Sequence, residues 1–448
     1  IRGQNGSKGV LPVAVFSVVA ALAAVLQLWG QEATGFGGLI VRDRGTLLFQ
    51  AMILVSALIG FVLAQDYLPG RKNTGEYYSL LLFSLVGMGI MTSARDLLVL
   101  FAGLEILSLS VYILVGFMKV VREGMEGAVK YFLLGSFSSA LFLLGIAFFY
   151  GASGTTKLAA LAAPTPVPAM MMASVALMMV GLGFKAAVAP FHMWAPDAYE
   201  GAPVCVTSFV SVAPKIAVFA VLLRFLTGIA GEGQNLLWVL VVCMSAASMV
   251  IGNFAALRQS GVVRMLAYSG IAQAGYMLIG LLAVPGVGAP AVAFYLAVYL
   301  FMNMGAFSSV TYIQRRQQKA MRIDDLAGLA SKHPWHAFAL AVFMVSLAGI
   351  PPTGGFLAKF YIFKAGIEAG HLGIVFVAIV TTIISFFYYL RVVMVMYMNE
   401  EDGALLAMDT RWTLVGAMIA AIVIMTFLSG VMPGQFLRMV ATVGPSGL

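Results

Sequence analysis

Charged side chains are scarce in this chain. Only 10% of its 448 residues are Asp, Glu, Lys or Arg, whereas 61% are hydrophobic, and the mean hydropathy is +0.99. Soluble globular domains carry about 25% charged residues. The composition therefore excludes a soluble enzyme or a soluble binding domain, and it predicts a protein whose main solvent is lipid.

Cysteine and histidine are also rare. The chain has two cysteines, Cys205 and Cys243, and four histidines. Both cysteines fall inside apolar segments, where they are typical of small core residues rather than of a disulfide. No group of histidines, cysteines and carboxylates has the spacing of a metal or iron–sulfur site. We therefore expect any redox chemistry to occur outside this chain.

Long apolar segments are abundant. Thirteen of them are long enough to cross a bilayer core of roughly 30 Å, and they predict an all-α, polytopic transmembrane helical bundle. The net charge of +8 is typical of a protein that meets lipid headgroups, and it does not indicate nucleic acid binding. The segments are about 10–28, 47–65, 77–94, 97–117, 130–150, 168–199, 204–226, 235–257, 263–284, 289–313, 335–367, 371–398 and 412–437.

Basic residues are unevenly distributed over the connections between these segments. Alternate connections hold most of the Lys and Arg residues, which places those connections in the cytoplasm by the positive-inside rule. The same rule predicts that Ile1 lies inside and Leu448 outside. No hydrophilic stretch exceeds about twenty residues, so there is no room for a soluble catalytic domain.

Two apolar segments exceed thirty residues and contain helix-breaking residues near their centres. Residues 168–199 contain Pro190, and residues 335–367 contain Pro351 and Pro352. Irregular backbone at that depth is tolerated only where it is buried in protein or lines a wet cavity. Each broken segment is the fourth in a run of five, and the two cross the membrane in opposite directions. Their spacing therefore predicts an inverted repeat of the kind found in ion transporters.

This organisation predicts four parts of the chain. The two repeats, each with a broken helix, follow a short N-terminal group of helices and precede a last one. The parts are the N-terminal transmembrane helices in 1–76, the first five-helix repeat in 77–226, the second five-helix repeat in 235–398, and a C-terminal transmembrane helix in 399–448.

Four ionisable side chains lie near the middle of an apolar segment or close to one of the breaks, and they are Glu105, Lys185, Lys215 and Lys359. An ionised group at the bilayer centre costs roughly 2.5–3.5 kcal/mol on insertion scales. A single lysine is explained equally well by snorkelling to the interface or by pairing with one acid. Three lysines with one clear mid-span carboxylate cannot all be neutralised, so the set favours an ion pathway. Lysines in an apolar interior, with a carboxylate neighbour, are chemically suited to passing protons.

Three stretches of the chain are distinctive: FKAAVAPFHMWAPDAYEGAPVCVTSFVSVAPKIAVF, AGIPPTGGFLAKF and GLEILSLSVYILVGF. Through them the chain resembles the antiporter-like membrane subunits of proton-pumping NADH-quinone oxidoreductase, respiratory complex I. The resemblance is not confined to these stretches. It covers essentially the whole chain and is greatest to the chain N branch, which has lysine at the position of Lys359. The family has fourteen helices in bacteria, which implies one further helix before Ile1.

The resemblance implies a role for each buried charge. Glu105 and Lys185 would be the paired carboxylate and lysine of one half-channel, Lys215 the central relay, and Lys359 the exit-side lysine. It implies that the partners are other membrane subunits of complex I, including sibling antiporter-like subunits, together with lipids of a bacterial plasma (inner) membrane. NADH, FMN, iron–sulfur clusters and quinone are expected in partner subunits, where quinone reduction would drive the movement of protons.

Two other functions remain compatible with the sequence. By the same resemblance, the broken helices are shared with subunits of multisubunit cation/proton antiporters and membrane-bound hydrogenases, which differ in the ion moved and in their partners. A structural scaffold, in which the lysines only fix packing, would be insensitive to loss of those charges. Two nearby residues have simpler interpretations: Lys130 is expected to snorkel at the cytoplasmic face, and His192 to be a polar residue at the helix break.

Overall fold

The computed structural model of the chain describes residues 9–68, 73–118, 122–162, 168–229, 235–284, 286–314, 321–399, 414–441 and 443. Most of these residues are helical. The helices are α1 (Val10–Gln27), α2 (Arg44–Tyr67), α3 (Thr74–Ser93), α4 (Leu97–Val115), α5 (Arg122–Ser153), α6 (Pro168–Ala186), α7 (Trp194–Gly201), α8 (Val204–Val210), α9 (Ala213–Ile229), α10 (Asn235–Leu257), α11 (Val262–Leu281), α12 (Gly288–Gln314), α13 (Leu329–Lys332), α14 (Pro334–Ala348), α15 (Gly354–Glu368), α16 (Leu372–Met398), α17 (Leu414–Val431) and α18 (Pro433–Val440).

Short elements connect some of these helices. An antiparallel hairpin of two strands, β1 (Ala33–Gly35) and β2 (Ile40–Arg42), lies between α1 and α2. The sequence analysis did not predict it. Single 3₁₀ turns occur at Phe36–Gly38, Leu158–Ala162 and Asp324–Leu326.

Eleven helical stretches among the described residues are long and apolar enough to cross a membrane on their own. This confirms the predicted class, a polytopic transmembrane helical bundle, with fewer single spans than the thirteen expected. The predicted span 335–367 is divided into α14 and α15, each of 15 residues, and the helix that covers 77–94, α3, is not among the eleven. The division of the chain into two inverted repeats stays a prediction.

The first break separates α6 from α7. Helix α6 ends at Ala186, and Ala187 adopts a left-handed conformation with φ of 58°. Pro190 lies in the gap and follows a cis peptide bond. Because proline has no N–H, it cannot continue the helical hydrogen bonding. The chain returns to helix at Trp194.

The second break separates α14 from α15. Gly349 follows α14 in the left-handed conformation, with φ of 87°, and its N–H bonds to carbonyls of the last helical turn. Glycine is favoured at this position because other residues are strained there. Pro351 and Pro352, joined by a cis peptide bond, lie in the gap, and α15 begins at Gly354.

The structure corrects the prediction of one continuous helix over 204–226. A turn at residues 211–212 separates α8 from α9. Pro214 explains the interruption, because it lacks an N–H and its ring would clash with the carbonyl of Val210 in a continuous helix. Lys215 follows at once. Each of the three buried lysines therefore lies close to an interruption of a helix.

The predicted C-terminal span 412–437 is also two helices, α17 and α18. They are separated at Met432, before Pro433. Proline is well tolerated at the first position of a helix, where its N–H would have no partner. The beginning of the predicted span lies outside the described residues.

The centre of the bundle is formed by α8, α9, α11 and α12. The apolar window within residues 204–228 is entirely buried, and those of α11 and α12 are 89% buried, whereas that of α1 is only 17% buried. The outer helices therefore turn apolar side chains toward lipid, and the central helices are enclosed by protein. Lys215 lies in the most enclosed part of the molecule.

Candidate functional site

Lys185 lies in the last turn of α6, among aromatic rings. The residue is 3% exposed, and its Nζ donates a hydrogen bond of 3.1 Å to the hydroxyl oxygen of Tyr131. The same nitrogen lies 4.9 Å from the ring centre of Tyr112 and 5.1 Å from that of Tyr131. Because ring faces attract cations, these tyrosines stabilise a charge that an aliphatic environment would not.

Glu105 lies on the face of α4 that leads to Lys185. Ser108 and Tyr112 follow it at positions i+3 and i+7, which share one face of a helix, and the ring of Tyr112 contacts the ammonium of Lys185. The Oε1 atom of Glu105 is buried without a hydrogen-bond partner. The side chains of Glu105 and Lys185, both in described helices, form no ion pair. Their pairing stays a prediction.

Lys215 lies in the first turn of α9 and is 1% exposed. Its Nζ donates a hydrogen bond of 2.5 Å to the main-chain oxygen of Gly270 in α11, and it lies 5.6 Å from the ring centre of Tyr299. A Cβ atom on residue 270 would lie 3.1 Å from that nitrogen. The lack of a side chain at Gly270 therefore leaves room for the ammonium to reach the carbonyl.

Incompletely hydrogen-bonded groups surround the turn before Lys215. Asn303 of α12 donates a hydrogen bond of 2.9 Å to the hydroxyl of Ser211, but its Oδ1 has no partner among the described residues. The hydroxyl oxygen of Ser208, three residues before Ser211, is also buried without a hydrogen-bond partner among the described residues. Buried polar atoms are normally satisfied by protein or by ordered water. This region is therefore suited to hold water close to Lys215.

Lys359 lies in α15 and reaches back to the second break. The residue is 3% exposed, and its Nζ donates a hydrogen bond of 2.8 Å to the main-chain oxygen of Ala348, the last residue of α14. The nitrogen also lies 5.0 Å from the ring centre of Tyr276. The last carbonyls of a helix lack intrahelical partners, and a cation is favoured near them. The break thus supplies the acceptor for the lysine.

A network of hydrogen bonds centred on α11 includes neighbours of the carbonyls that Lys215 and Lys359 contact. The hydroxyls of Ser269 and Tyr389 share a hydrogen bond of 2.5 Å. The amide nitrogen of Gln273 donates to the hydroxyl of Tyr389 at 3.2 Å and to the main-chain oxygen of Leu347 at 3.1 Å, and its Oε1 accepts from Tyr295. These residues come from four helices and are buried.

The two ends of this network lie beside the lysine contacts. Ser269 directly precedes the carbonyl that Lys215 contacts, and Leu347 directly precedes the carbonyl that Lys359 contacts. Hydroxyl groups such as that of Tyr389 both donate and accept hydrogen bonds, which is what a proton relay requires. Polar groups of one network therefore lie next in the chain to the carbonyls that the two lysines contact.

A second set of hydrogen bonds begins at Tyr276, whose ring faces Lys359. Asn253 donates a hydrogen bond of 3.1 Å to the hydroxyl of Tyr276, which donates one of 3.3 Å to Thr381. Tyr388 donates to the Oδ1 of Asn253 at 3.0 Å. Contacts thus extend from Lys359, through the ring and hydroxyl of Tyr276, to α10 and α16.

Side chains form hydrogen bonds with some of the backbone N–H and C=O groups that the first break leaves without helical partners. The indole nitrogen of Trp194 donates a hydrogen bond of 2.9 Å to the main-chain oxygen of Phe184. The N–H of Ala189 donates one of 2.8 Å to the hydroxyl of Ser248 in α10. The break is therefore held by one side chain of α7 and one of α10.

The sequence analysis missed a group of ion pairs at one end of this site. Lys130 lies 2.8 Å from Glu126 and 2.8 Å from Asp197, where snorkelling alone was expected. Arg264 of α11 lies 2.8 Å from Asp197 and 2.8 Å from Glu200. Most of these partners are more than sixty residues apart in the chain, so sequence spacing carries no signal for them.

A buried ion pair was also missed. Arg224 of α9 lies 2.5 Å from Asp43, and it donates to the main-chain oxygen of Thr92 at 2.6 Å. Asp43 also caps the first turn of α2 by accepting from the N–H of Thr46 at 2.6 Å. Breaking such a pair is costly because it leaves one charge buried alone. The pair therefore anchors α9, the helix of Lys215, to α2 and α3.

One sequence signal was available for the missed network on α11. Ser269, Gln273 and Tyr276 recur at i, i+4 and i+7, which places three polar side chains on one face of an apolar helix. That pattern marks a polar stripe within the protein. It does not reveal the partners, which come from other helices.

Known proteins resemble this chain in sequence and fold. A model of the family described as NADH:quinone oxidoreductase/Mrp antiporter, TM, matches residues 94–385. NADH-quinone oxidoreductase subunit N 2 of Solibacter usitatus is 41% identical over 416 residues, which cover 92% of this chain and 84% of that protein. A chain of respiratory complex I from Thermus thermophilus with bound aureothin is 35% identical, with a TM-score of 0.85 over 98% of this chain and 95% of that one. A chain of the Mrp complex from Dietzia sp. shares the fold, with a TM-score of 0.87 at 23% identity over 98% of this chain and 92% of that one.

Proposed function

The chain belongs to the NADH:quinone oxidoreductase/Mrp antiporter transmembrane family, as a multi-pass, proton-translocating subunit of the inner membrane, and from this premise we propose how it moves protons. Protons pass through a buried relay that includes Glu105, Lys185, Lys215 and Lys359. Quinone reduction in other subunits of the complex drives the relay.

The surroundings of the three lysines carry this proposal. Lys185, Lys215 and Lys359 are buried, yet none of them, within the part of the chain that the structure describes, forms an ion pair with a carboxylate. Their partners are hydroxyl and carbonyl oxygens and ring faces. A lysine that stayed permanently charged would need a close counter-charge, because an unpaired buried ion is costly. An uncharged amine also donates hydrogen bonds, so these contacts suit both protonation states of a proton carrier.

Water completes the proposed relay at the helix interruptions. The unpartnered buried oxygens of Ser208 and Asn303 beside Lys215, and the Oε1 of Glu105, are groups that ordered water satisfies. Between Lys215 and Lys359 the hydroxyls of the α11 network provide donors and acceptors. Protons move in the order Lys185, Lys215, Lys359 in this proposal.

The free energy needed to move a proton across the membrane exceeds what one contact between a carboxylate and a lysine can supply. Moving a proton against about 170 mV costs roughly 4 kcal/mol, because each elementary charge costs about 2.3 kcal/mol per 100 mV. A carboxylate about 7 Å from an ammonium returns roughly 2.4 kcal/mol at an effective dielectric constant near 20. The attraction of Glu105 for Lys185 is therefore insufficient by itself. A change in the hydration of the lysine must contribute the rest.

The electron-transfer cofactors lie in partner subunits in this proposal. NADH, FMN, iron–sulfur clusters and quinone bind there, and the resulting free energy reaches this chain through neighbouring membrane subunits, including sibling antiporter-like subunits. Lipids cover the remaining outer helices.

A second function has one observation in its favour. The matching family includes Mrp antiporters, so the alternative is exchange of a metal cation for protons within a multisubunit antiporter. The two proposals differ in the ion moved. Replacing sodium by choline in the medium leaves pumping unchanged if protons alone are carried, and abolishes it if cation exchange is the function.

The relay is tested at Lys215 in the assembled complex, reconstituted in vesicles. Lys215→Ala removes the carrier, and Lys215→Arg leaves a guanidinium that stays protonated and releases no proton. Both variants are expected to abolish proton passage through this chain. The control is Lys364→Ala, which removes an exposed lysine of α15. Protons pumped per electron transferred are measured beside assembly. Parental pumping by an assembled Lys215→Arg variant would make Lys215 a fixed charge and contradict the relay.

A further inference from the structure

We propose that Arg264 is a positioning residue that holds α7 against α11 through its ion pairs with Asp197 and Glu200, a set called the latch below. By holding these two helices together, it links the contacts of Lys185 to the contacts of Lys215. This inference rests on the proposed relay, since it assigns to the ion pairs of Arg264 a role in how that relay works. Arg264 touches neither lysine. It acts through the two helices that it joins.

The latch is a shared set of ion pairs. Arg264 lies 2.8 Å from the Oδ1 of Asp197 and 2.8 Å from the Oε2 of Glu200, which are one turn apart on α7. The Oδ2 of Asp197 lies 2.8 Å from Lys130 of α5. Asp197 therefore bridges two cations from different helices, and Arg264 bridges two carboxylates on one helix.

Its environment makes this set stronger than a pair on an open surface. Isolated exposed ion pairs contribute little, because water screens them and the side chains lose freedom. The side chains of Arg264, Asp197 and Glu200 are only 28–32% exposed, and each charge that bridges two partners is held in place by both. Without Arg264, the two carboxylates of α7 would repel each other and separate from α11.

The other side of α7 is fixed by close backbone packing against α5 as well as by the pair of Lys130 with Asp197. A Cβ atom on Gly127 of α5 would lie 2.7 Å from the main-chain oxygen of Asp197, and one on Gly201 of α7 would lie 2.5 Å from that of Glu123. The backbones of α5 and α7 thus approach as closely as two glycines allow. Because α7 is held to α5 by this packing, the ion pairs of Arg264 are what sets its position relative to α11.

One path leads from the latch to Lys185. Helix α7 begins at Trp194, whose ring stacks on that of Tyr131 with centroids 3.9 Å apart. The indole nitrogen of Trp194 bonds to the carbonyl of Phe184, the residue before Lys185. Tyr131 accepts the hydrogen bond of the Lys185 ammonium. A shift of α7 therefore moves the groups that surround Lys185.

The other path leads to Lys215. Arg264 lies in the first turn of α11, and Gly270 of the same helix supplies the carbonyl that Lys215 contacts at 2.5 Å. A shift of α11 changes this short contact directly. Coupling between sites is carried by rigid elements that both sites contact, and here α7 and α11 are those elements.

The test compares assembled complexes in vesicles that carry Arg264→Gln, Arg264→Lys, Asp197→Asn or the control Arg391→Gln. Arg391 is a basic residue of α16 whose partner Asp324 is 3.9 Å away. We expect Arg264→Gln and Asp197→Asn to lower the protons pumped per electron about threefold, within the range of mutations along coupled networks. Arg264→Lys restores most of the loss, because an ammonium still pairs with one carboxylate of α7.

Each outcome decides the proposal. Pumping by an assembled Arg264→Gln complex at the level of Arg391→Gln overturns the latch, and so does an equal loss in Arg264→Lys and Arg264→Gln. If Arg264→Gln does not assemble, the assembled Asp197→Asn complex decides in the same way. Lys185→Ala is measured in parallel to separate the two proposals. Normal pumping by Lys185→Ala overturns the relay. Reduced pumping by Lys185→Ala together with normal pumping by Arg264→Gln overturns only the latch.

Discussion

The ammonium of Lys359 donates a hydrogen bond of 2.8 Å to the main-chain oxygen of Ala348, the last residue of the helix before the second break. The break and the lysine are thus one feature. Ending a helix inside the bundle exposes carbonyl oxygens that need partners, and the lysine is the partner of one of them. At the first break the relation differs, because Lys185 belongs to the helix that ends and bonds to a tyrosine hydroxyl.

Gly349→Ala should impair pumping through this contact. Residue 349 has φ of 87°, a conformation that costs a residue with a Cβ about 1–2 kcal/mol. The new Cβ would also lie 2.9 Å from the Cδ of Lys359 and displace the side chain. We expect a clear fall in the protons pumped per electron. Gly373→Ala, at a helical glycine with open space around it, is the control, and parental pumping by Gly349→Ala would refute the link between break and lysine.

Glu105→Gln should lower pumping several-fold in the proposed relay, because it removes the negative charge that attracts the ammonium of Lys185. The substitution keeps the size of the side chain and removes its charge. Pumping in vesicles is compared with that of Glu76→Gln, which changes an exposed carboxylate in the first turn of α3. Equal pumping by the two variants, with normal assembly, would show that the charge of Glu105 is not used.

Tyr389→Phe should slow transfer between Lys215 and Lys359 several-fold. The change removes the hydroxyl that contacts Ser269 and Gln273 and keeps the ring. Tyr397→Phe, at an exposed tyrosine of the same helix, is the control. The rate of proton pumping is measured for both variants. Equal rates in the two variants would show that the hydroxyl of Tyr389 is not part of the route.

Pro190→Ala should slow pumping more than it harms assembly. An alanine at this position can donate an N–H and favours a continuous helix, which would remove the irregular backbone beside Lys185 and the space for water that solvates it. Pumping per electron is measured beside the amount of assembled complex. Pro334→Ala serves for comparison, because proline at the start of a helix breaks no hydrogen bond. If Pro190→Ala assembles and pumps as the parent does, the break serves packing alone.

Several features of this protein follow from its sequence. The apolar segments are long enough to span a membrane, so the transmembrane class and most helix positions could be predicted from composition and length. The cost of burying charge singled out Glu105 and three lysines, and the prolines predicted two breaks. The turn at residues 211–212 could also have been predicted, because Pro214, like Pro190, lacks an N–H and interrupts helical hydrogen bonding.

Only the tertiary structure decided what these charges contact. Lys215 meets the carbonyl of Gly270, 55 residues away, and Arg264 meets Asp197 67 residues away. Such pairs depend on how helices pack, and packing inside a membrane is set by shape and by polar contacts between helices rather than by the apolar pattern that defines each span. The sequence determines which residues cannot face lipid, because the penalty for doing so is local. Which partner satisfies each of them is decided by the arrangement of the whole bundle.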